Sequence, residues 1–105
     1  FGLLMERRGV WGTKRLLPDG WFDAIREPTP ARTDYGLLWW LNTDRDRVPA
    51  APESAYWAAG FGGNYVYVDE CNDLVVVLRW IPELADVIER VMDAMDTPRT
   101  ACEAG

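Results

Sequence analysis

The chain has 105 residues, 49% of them hydrophobic, and six tryptophans, a composition that predicts one packed domain and argues against global disorder. Its formal net charge of −6 argues against nucleic acid or an anionic membrane as a partner, because neither supplies cations to neutralise it. No apolar run reaches the roughly 18 residues that span a bilayer, and no signal-peptide pattern opens the sequence. These features leave the cellular location open, with the cytoplasm favoured.

The N-terminal part of the chain predicts two short helices. Residues 1–8 place apolar side chains at helical spacing, and Gly9 suits the position after a helix end. Residues 10–17 predict a loop or a short strand. Pro18 suits the first turn of the second helix, whose buried side is expected to carry Trp21, Phe22 and Ile25.

The remaining chain predicts an antiparallel sheet followed by a helix. Strands are expected near residues 35–42, 55–60, 64–69 and 74–80, with a polar, proline-containing loop between the first two. Tyr65 and Tyr67 alternate with Val66 and Val68, which places the two tyrosines on one face of the sheet. Residues 74–78 are apolar at every position, so this strand is expected to be central and covered on both faces.

A helix near residues 82–96 has the clearest periodicity in the sequence. Its apolar stripe is expected to pack on one face of the sheet and contains Leu84, Ile88, Val91, Met92 and Met95. The predicted fold class is therefore α+β: an antiparallel sheet of three to four strands with a long C-terminal helix packed on it. One domain, residues 1–97, is expected, followed by a flexible tail, residues 98–105. Cys71 in a turn and Cys102 in the tail do not make a disulfide framework; unbridged cysteines are favoured over a bridge between them, and the redox state of both is left open.

The inventory of reactive side chains is small. The sequence has no histidine, Lys14 is its only lysine and Ser54 is its only serine. It therefore contains no Ser-x-x-Lys pair and lacks the commonest general base. The glycine-rich segment Gly60–Gly63 also lacks the Lys-Ser/Thr of a phosphate-binding loop. No catalytic side chain and no cofactor are predicted from these residues.

One acidic segment has a metal-like spacing. Asn42, Asp44, Asp46 and Glu53 fall at positions 1, 3, 5 and 12 of an EF-hand-like loop. However, Arg47 occupies the position that needs glycine, and a strand rather than a helix is predicted before the segment. The segment is therefore interpreted as a solvated loop of mixed charge, and no metal is predicted.

Aromatic and glycine residues near the predicted sheet are candidates for lining a ligand cleft. Because side chains alternate along a strand, one indole of Trp39-Trp40 is expected in the core and the other on the opposite face of the sheet. The second indole either packs under a covering helix or loop or lines a ligand cleft, and the packing role is favoured. The glycines of Gly60-Phe61-Gly62-Gly63 serve either a tight hairpin or the close approach of a substrate to the backbone. The candidate lining residues are Gly60, Gly62, Trp39, Trp40 and Trp57.

Several spaced segments, in order, resemble the serine β-lactamase-like hydrolases. They are FGLLMERRGVWGTKRLLPDGW, then YGLLWWLN, a proline-containing loop, YWAAGFGGNYVYVDECNDLVVVLRW and an amphipathic helix. The resemblance covers residues 1 to about 95 and is to the C-terminal part of a superfamily that includes class C β-lactamases, penicillin-binding-protein-like esterases and 6-aminohexanoate-dimer hydrolases. It implies a partial β-lactamase-like fold.

The resemblance also implies a partial active site. Ala58-Ala59-Gly60 falls on the Lys-Thr-Gly position of the family, and only the glycine matches. The backbone N–H of the next residue, Phe61, is then a candidate oxyanion-hole donor, a role that survives a change of side chain. The family's Ser-x-x-Lys nucleophile motif and its Tyr-x-Asn-type base motif have no counterpart in this sequence.

Three hypotheses about function follow. The first is a truncated serine hydrolase of this superfamily that is inactive alone. The second is a small non-catalytic binding or oligomerisation module, and the third is a hydrolase half completed by another chain. In the family, the strand matching Leu74–Trp80 is flanked by N-terminal strands that this sequence lacks. Its edge is therefore expected to be bare and to pair with a second copy or a complementing chain.

Overall fold

A four-stranded antiparallel sheet lies at the centre of the computed structural model, which describes residues 1–102. In chain order the elements are α1 (Gly2–Glu6), β1 (Val10–Trp11), β2 (Lys14–Arg15), α2 (Asp19–Ala24), β3 (Trp40–Leu41), β4 (Tyr56–Gly60), β5 (Asn64–Asp69), β6 (Leu74–Leu78) and α3 (Leu84–Ala94). Short 3₁₀ turns occupy Thr43–Arg45 and Glu70–Asn72. The predicted fold class, α+β with an antiparallel sheet and a C-terminal helix, is confirmed.

The register of the sheet decides which side chains share a face. The strand order is β3-β4-β5-β6, and every neighbouring pair is antiparallel. Trp57 lies opposite both Trp40 and Tyr67, and Tyr67 in turn lies opposite Val76. Because directly opposed residues point to the same side, these residues and Tyr65 form one face, here called the α3 face. The predicted placement of the two tyrosines is confirmed.

Helix α3 covers the α3 face. Leu84, Ile88 and Met92 are buried in one cluster with Trp57 and Tyr67. Their spacing of four residues keeps them on one side of the helix, since position i+4 lies closer in angle to position i than i+3 does. The predicted packing of Leu84 and Ile88 is confirmed, and Met95 contacts the cluster at its margin. Val91 was expected among the packed residues but is only half-buried.

Helices α1 and α2 cover the opposite face, here called the α1 face. Its core contains Met5, Phe22, Ile25, Trp39, Leu41, Tyr56 and Val68. Helix α1 comes close to the sheet at Gly2, where an added Cβ would lie 2.7 Å from Val75 Cγ1. The helices therefore cover part of both faces of the sheet, but Val77 of β6, on the α1 face, is 58% exposed, so the expectation that β6 is covered on both faces is not met at this residue.

The loop between β3 and β4 is organised by a buried amide. The Asn42 side chain is fully buried, and its Nδ2 donates to the carbonyls of Val48 and Pro52, at 3.0 Å each. Its Oδ1 accepts the Val48 N–H, also at 3.0 Å. Asn42, the first residue of the EF-hand-like spacing, therefore uses its side-chain amide to hold the loop through hydrogen bonds. Within residues 1–102, no group of three or more His, Cys, Asp or Glu side chains is placed to hold a metal ion.

A disulfide joins the turn after β5 to the C-terminal tail. Cys71 and Cys102 are bonded, with their Cα atoms 5.6 Å apart. Next to the bridge, the Arg99 N–H donates to Asn72 Oδ1 at 2.7 Å, and Asn72 Nδ2 donates to the Arg99 carbonyl at 3.0 Å. The expectation of unbridged cysteines was wrong, because α3 runs back along the sheet and returns the tail to this turn. The flexibility predicted for residues 98–105 stays a prediction, and residues 103–105 lie outside the described residues.

Three strand predictions need correction. The strand expected at 35–42 is reduced to β3, because Gly36 packs against the Ile25 carbonyl and Leu38 has a φ of 70°, which bends the chain. The strand expected to reach residue 80 ends at Leu78, and Trp80 has a φ of 63°. β6 was expected to be central, but it is the last strand of the sheet within residues 1–102.

Every helix within residues 1–102 is too short or too polar to cross a membrane.

Candidate functional site

A cleft of about 510 Å³ opens on the α3 face at the end of β4. We call it the β4 cleft. Its floor is formed by sheet residues, one side by the loop before β4 and the other side by the beginning of α3. The lining residues are Trp40, Trp57, Ala59, Gly60, Tyr65, Arg47, Val48 and the segment 82–86. The cleft exists because α3 begins beyond the end of the sheet and leaves the last residues of β4 uncovered.

Trp40 lines the β4 cleft and lies between two arginines. The guanidinium carbons of Arg32 and Arg47 lie 5.0 and 5.2 Å from the centroid of its indole ring. Asp34 holds both arginines, accepting hydrogen bonds from Arg32 Nε at 2.8 Å and from Arg47 Nη2 at 2.8 Å. The hydrogen bonds from Arg32, and then from Arg47, lower the pKa of Asp34 to about 2. The carboxylate therefore stays ionised at neutral pH and fixes the two cations beside the indole.

The other side of the β4 cleft carries the opposite charge. Glu83 and Asp86 lie at the start of α3, where the helix dipole favours acidic side chains. The Tyr65 hydroxyl crosses the floor and lies 3.5 Å from the Pro82 carbonyl, which it faces as a donor. A ligand in this cleft would therefore meet aromatic surface below, a guanidinium on one side and carboxylates on the other.

The glycine-rich hairpin after β4 has a structural explanation at two of its positions. Gly62 and Gly63 have φ values of 89° and 88°, which favour glycine over residues with a side chain. An added Cβ would clash with the Trp80 ring at Gly62, and would lie 2.5 Å from the Ile81 carbonyl carbon at Gly63. Of the two roles considered for these glycines, a tight hairpin rather than close approach of a substrate therefore explains Gly62 and Gly63. Gly60 has no such constraint, since its nearest neighbour is Asn64 at 3.6 Å.

The structure brings together three of the five predicted cleft residues. Trp40, Trp57 and Gly60 line the β4 cleft. Trp39 does not, because it is 6% exposed in the core of the α1 face, edge-on to Tyr56 with ring centroids 5.1 Å apart. Gly62 lies in the hairpin against Trp80. The expected division of Trp39 and Trp40 between core and opposite face is thus observed, with Trp40 at the cleft.

Sequence reasoning missed several lining residues, namely Arg47, Val48, Ala59, Tyr65 and segment 82–86. The alternation that placed Tyr65 beside Tyr67 was a usable signal for Tyr65, because it set the face. No local sequence pattern marked Arg47 or segment 82–86 as lining residues. They reach the cleft only because the loop before β4 folds over the sheet and α3 packs back across it.

The candidate oxyanion-hole residue lies just beyond the β4 cleft. Phe61 follows the last residue of β4, and its side chain is 97% exposed. Its carbonyl accepts a hydrogen bond from Asn64 Nδ2 at 2.8 Å, which fixes the first peptide of the hairpin. Trp80 is 67% exposed and lies against the same hairpin. Two large aromatic side chains are therefore left in water at the end of the sheet where the cleft opens.

The only serine is not placed as a nucleophile. Ser54 Oγ is buried and has no hydrogen-bond partner within residues 1–102. Lys14, the only lysine, lies in the exposed hairpin β1–β2. Ala58, which was expected at the family's lysine position, packs on the core of the α1 face. The described residues therefore provide an aromatic, charged cleft, without an activated serine hydroxyl.

Comparison with known proteins adds no assignment. The sequence matches no protein-family model, and a search of curated proteins finds no significant match.

Proposed function

We propose that this chain is the C-terminal part of a serine β-lactamase-like hydrolase, that it forms one wall of the acyl-transfer site, and that it does not catalyse the reaction alone. The observation that carries the proposal is the exposed end of β4. By the resemblance this is the position of the family's Lys-Thr-Gly motif, and here it opens into the β4 cleft, beyond the parts of the sheet on which the helices pack.

The chemistry expected of this wall is binding and electrostatic stabilisation. The backbone N–H of Phe61 would donate to the oxyanion that forms when a nucleophile attacks an acyl carbonyl, an interaction that lowers the barrier by holding developing charge. Trp40, Trp57 and Tyr65 offer aromatic surface for the acyl or leaving group. The nucleophile and its base must come from a Ser-x-x-Lys segment outside this sequence.

Two exposed aromatic residues support the proposal independently. Phe61 and Trp80 lie in water beside the cleft, and a large apolar side chain is stabilised when another surface covers it. A hydrolase segment that carries the nucleophile and packs against this end of the sheet would cover both.

The isolated chain gives the first test. After incubation with a fluorophosphonate or a penicillin, intact mass spectrometry is expected to show no covalent adduct, and ester and cephalosporin turnover are expected to be absent. Stoichiometric labelling of Ser54 would contradict the proposal, because it would require activation that this environment does not supply.

The coding sequence upstream of Phe1 gives the second test. We expect an in-frame or adjacent segment with a Ser-x-x-Lys motif. In the protein reconstituted with that segment, Phe61→Pro removes the N–H and should lower kcat about 10²–10³-fold. The control Phe61→Ala keeps the N–H and should lower kcat much less. Equal effects of the two variants would remove Phe61 from the oxyanion hole, and the absence of any such motif would reject the hydrolase proposal.

A non-catalytic association module is the second candidate function. The observation that favours it is the outer edge of β6, with which no strand within residues 1–102 pairs, since an edge of this kind can pair with another strand.

A further inference from the structure

The ionised groups that line the β4 cleft differ in whether they already have a partner. Arg47, the cationic residue of the lining, forms an ion pair of 2.8 Å with Asp34. Glu83 and Asp86 are exposed, and neither forms an ion pair with another residue in the range 1–102. The cleft therefore presents two carboxylates without a counter-ion, whereas its guanidinium is already engaged.

We propose that the β4 cleft binds a ligand that carries an ammonium group on an apolar, aromatic body. The ammonium lies between Glu83 and Asp86, which are three positions apart at the start of α3 and are therefore neighbours on its surface. An ammonium has three N–H donors, so it satisfies both carboxylates at once with charge-assisted hydrogen bonds. The body of the ligand lies over the floor of the cleft at the end of β4.

The floor of the cleft has room for such a body beside an aromatic ring. Ala59 and Gly60 are exposed at the end of β4 and carry no bulky side chain. Tyr65 lies opposite Ala59 in the sheet register, and its hydroxyl lies 3.5 Å from the Pro82 carbonyl. A ligand that extends from the carboxylates to the floor therefore passes this ring, and aromatic rings favour both apolar bodies and cations.

The charges around the cleft favour a cation over an anion. An anion would compete with Asp34 for Arg47 and would share the cleft with two carboxylates. Arg32, the second partner of Asp34, lies outside the cleft lining and lines a separate depression with Asp44 and Asp46. The N-terminus of α3 adds about half a positive charge, which two full negative charges outweigh. The net charge of the chain, −6, also attracts cations from a distance.

Binding of the cation depends on the charges of the cleft and needs no nucleophile, so the isolated chain is sufficient to test it. That the bound ligand is the substrate of an acyl transfer rests on the proposed function, which would then act on substrates that carry an ammonium group. An acyl substrate without an ammonium group can still occupy the cleft. A failure of cation binding therefore leaves the hydrolase proposal to its own tests.

Titration of the isolated chain with phenethylammonium tests the proposal. Hydrocinnamate is the matched anion, phenethyl alcohol is the neutral control, and amide chemical shifts of the isotope-labelled chain report where each probe binds. Phenethylammonium is expected to shift the signals of segment 82–86 and to bind about tenfold more tightly than phenethyl alcohol. Hydrocinnamate is expected to bind more weakly than the alcohol. Added salt should weaken the binding of phenethylammonium and leave that of the alcohol unchanged.

Variants of the two carboxylates locate the site. Glu83→Gln and Asp86→Asn are each expected to weaken phenethylammonium binding about two- to fivefold and to leave phenethyl alcohol binding unchanged. Glu83 makes no side-chain capping hydrogen bond, so its replacement keeps α3, which circular dichroism checks. The matched control Asp93→Asn removes the same charge two helical turns beyond Asp86, outside the cleft lining, and should bind phenethylammonium as the unmodified chain does.

Four results would overturn the proposal. They are the absence of phenethylammonium binding, equal or tighter binding of hydrocinnamate, chemical-shift changes only outside the cleft, and a loss of affinity in Asp93→Asn as large as in the two cleft variants.

Discussion

Replacing Ile88 by alanine tests whether α3 holds the fold together. Ile88 is fully buried in the cluster between α3 and the sheet. The substitution removes three carbon atoms, which at about 0.8 kcal/mol each gives about 2.4 kcal/mol of lost transfer energy. The cavity left behind adds to this, and the higher helix propensity of alanine returns about 0.5 kcal/mol. We therefore expect a loss of about 3 kcal/mol in the free energy of unfolding.

Urea denaturation followed by circular dichroism measures this loss. At an m-value of about 1–3 kcal/mol per molar urea, the midpoint should fall by about 1–3 M with the slope unchanged. The control Val91→Ala, on the same helix at a half-buried position, should cost about 1 kcal/mol or less. A loss below about 1 kcal/mol for Ile88→Ala would refute the packing of α3 on the sheet.

Three further outcomes are expected. Gly63→Ala should destabilise the protein by about 1–3 kcal/mol, because Gly63 has a positive φ and lies close to the Ile81 backbone. The control Gly20→Ala, in α2 with open space around it, should stabilise the protein by about 0.5–1 kcal/mol. Thermal melts of the two variants measure both changes. Cys102→Ser removes the disulfide between residues 31 positions apart and should lower the free energy of unfolding by about 2–4 kcal/mol. Thiol titration of the unreduced wild-type protein should find no free thiol, and two free thiols would contradict the bridge. The folded-state pKa of Asp34, about 2, lies below the unfolded value of about 3.9, so its contribution to stability is present above pH 4 and is lost as the pH falls towards 2. Urea midpoints between pH 5 and 2 should therefore fall less steeply for Asp34→Asn than for wild type, and parallel curves would contradict the cause given for the shift.

Local patterns in the sequence were sufficient to predict most of the helices and strands. The alternation of residues 64–69 predicted β5 and its faces, since side chains of a strand point in alternate directions whatever surrounds them. The four-residue spacing of Leu84, Ile88 and Met92 predicted α3 and its buried side for the same kind of reason. Local patterns failed at residues 35–39, where an apolar run looked like a strand. The contact between Gly36 and the Ile25 carbonyl, distant in sequence, bends the chain there.

The candidate site was only partly predictable. Gly60, Trp40 and Trp57 were found because strand and turn signals fixed their approximate place. Arg47 and segment 82–86 complete the β4 cleft only after the loop has folded around Asn42 and α3 has returned across the sheet. The pairing of Cys71 with Cys102 has the same origin, because two residues far apart in sequence meet only when the elements between them have packed.

The sequence by itself determined the chemical inventory and the strands and helices: without histidine, and with a single serine and a single lysine, no fold of this chain contains a Ser-x-x-Lys pair. Only the tertiary structure decided that β6 is the last strand of the sheet within residues 1–102, that Trp39 and Trp40 separate between core and cleft, and that Cys102 is bonded to the turn at Cys71. Periodicity reports on which face a residue lies, whereas strand order, edges and clefts depend on contacts between distant segments, and those are set by the packing of the whole chain.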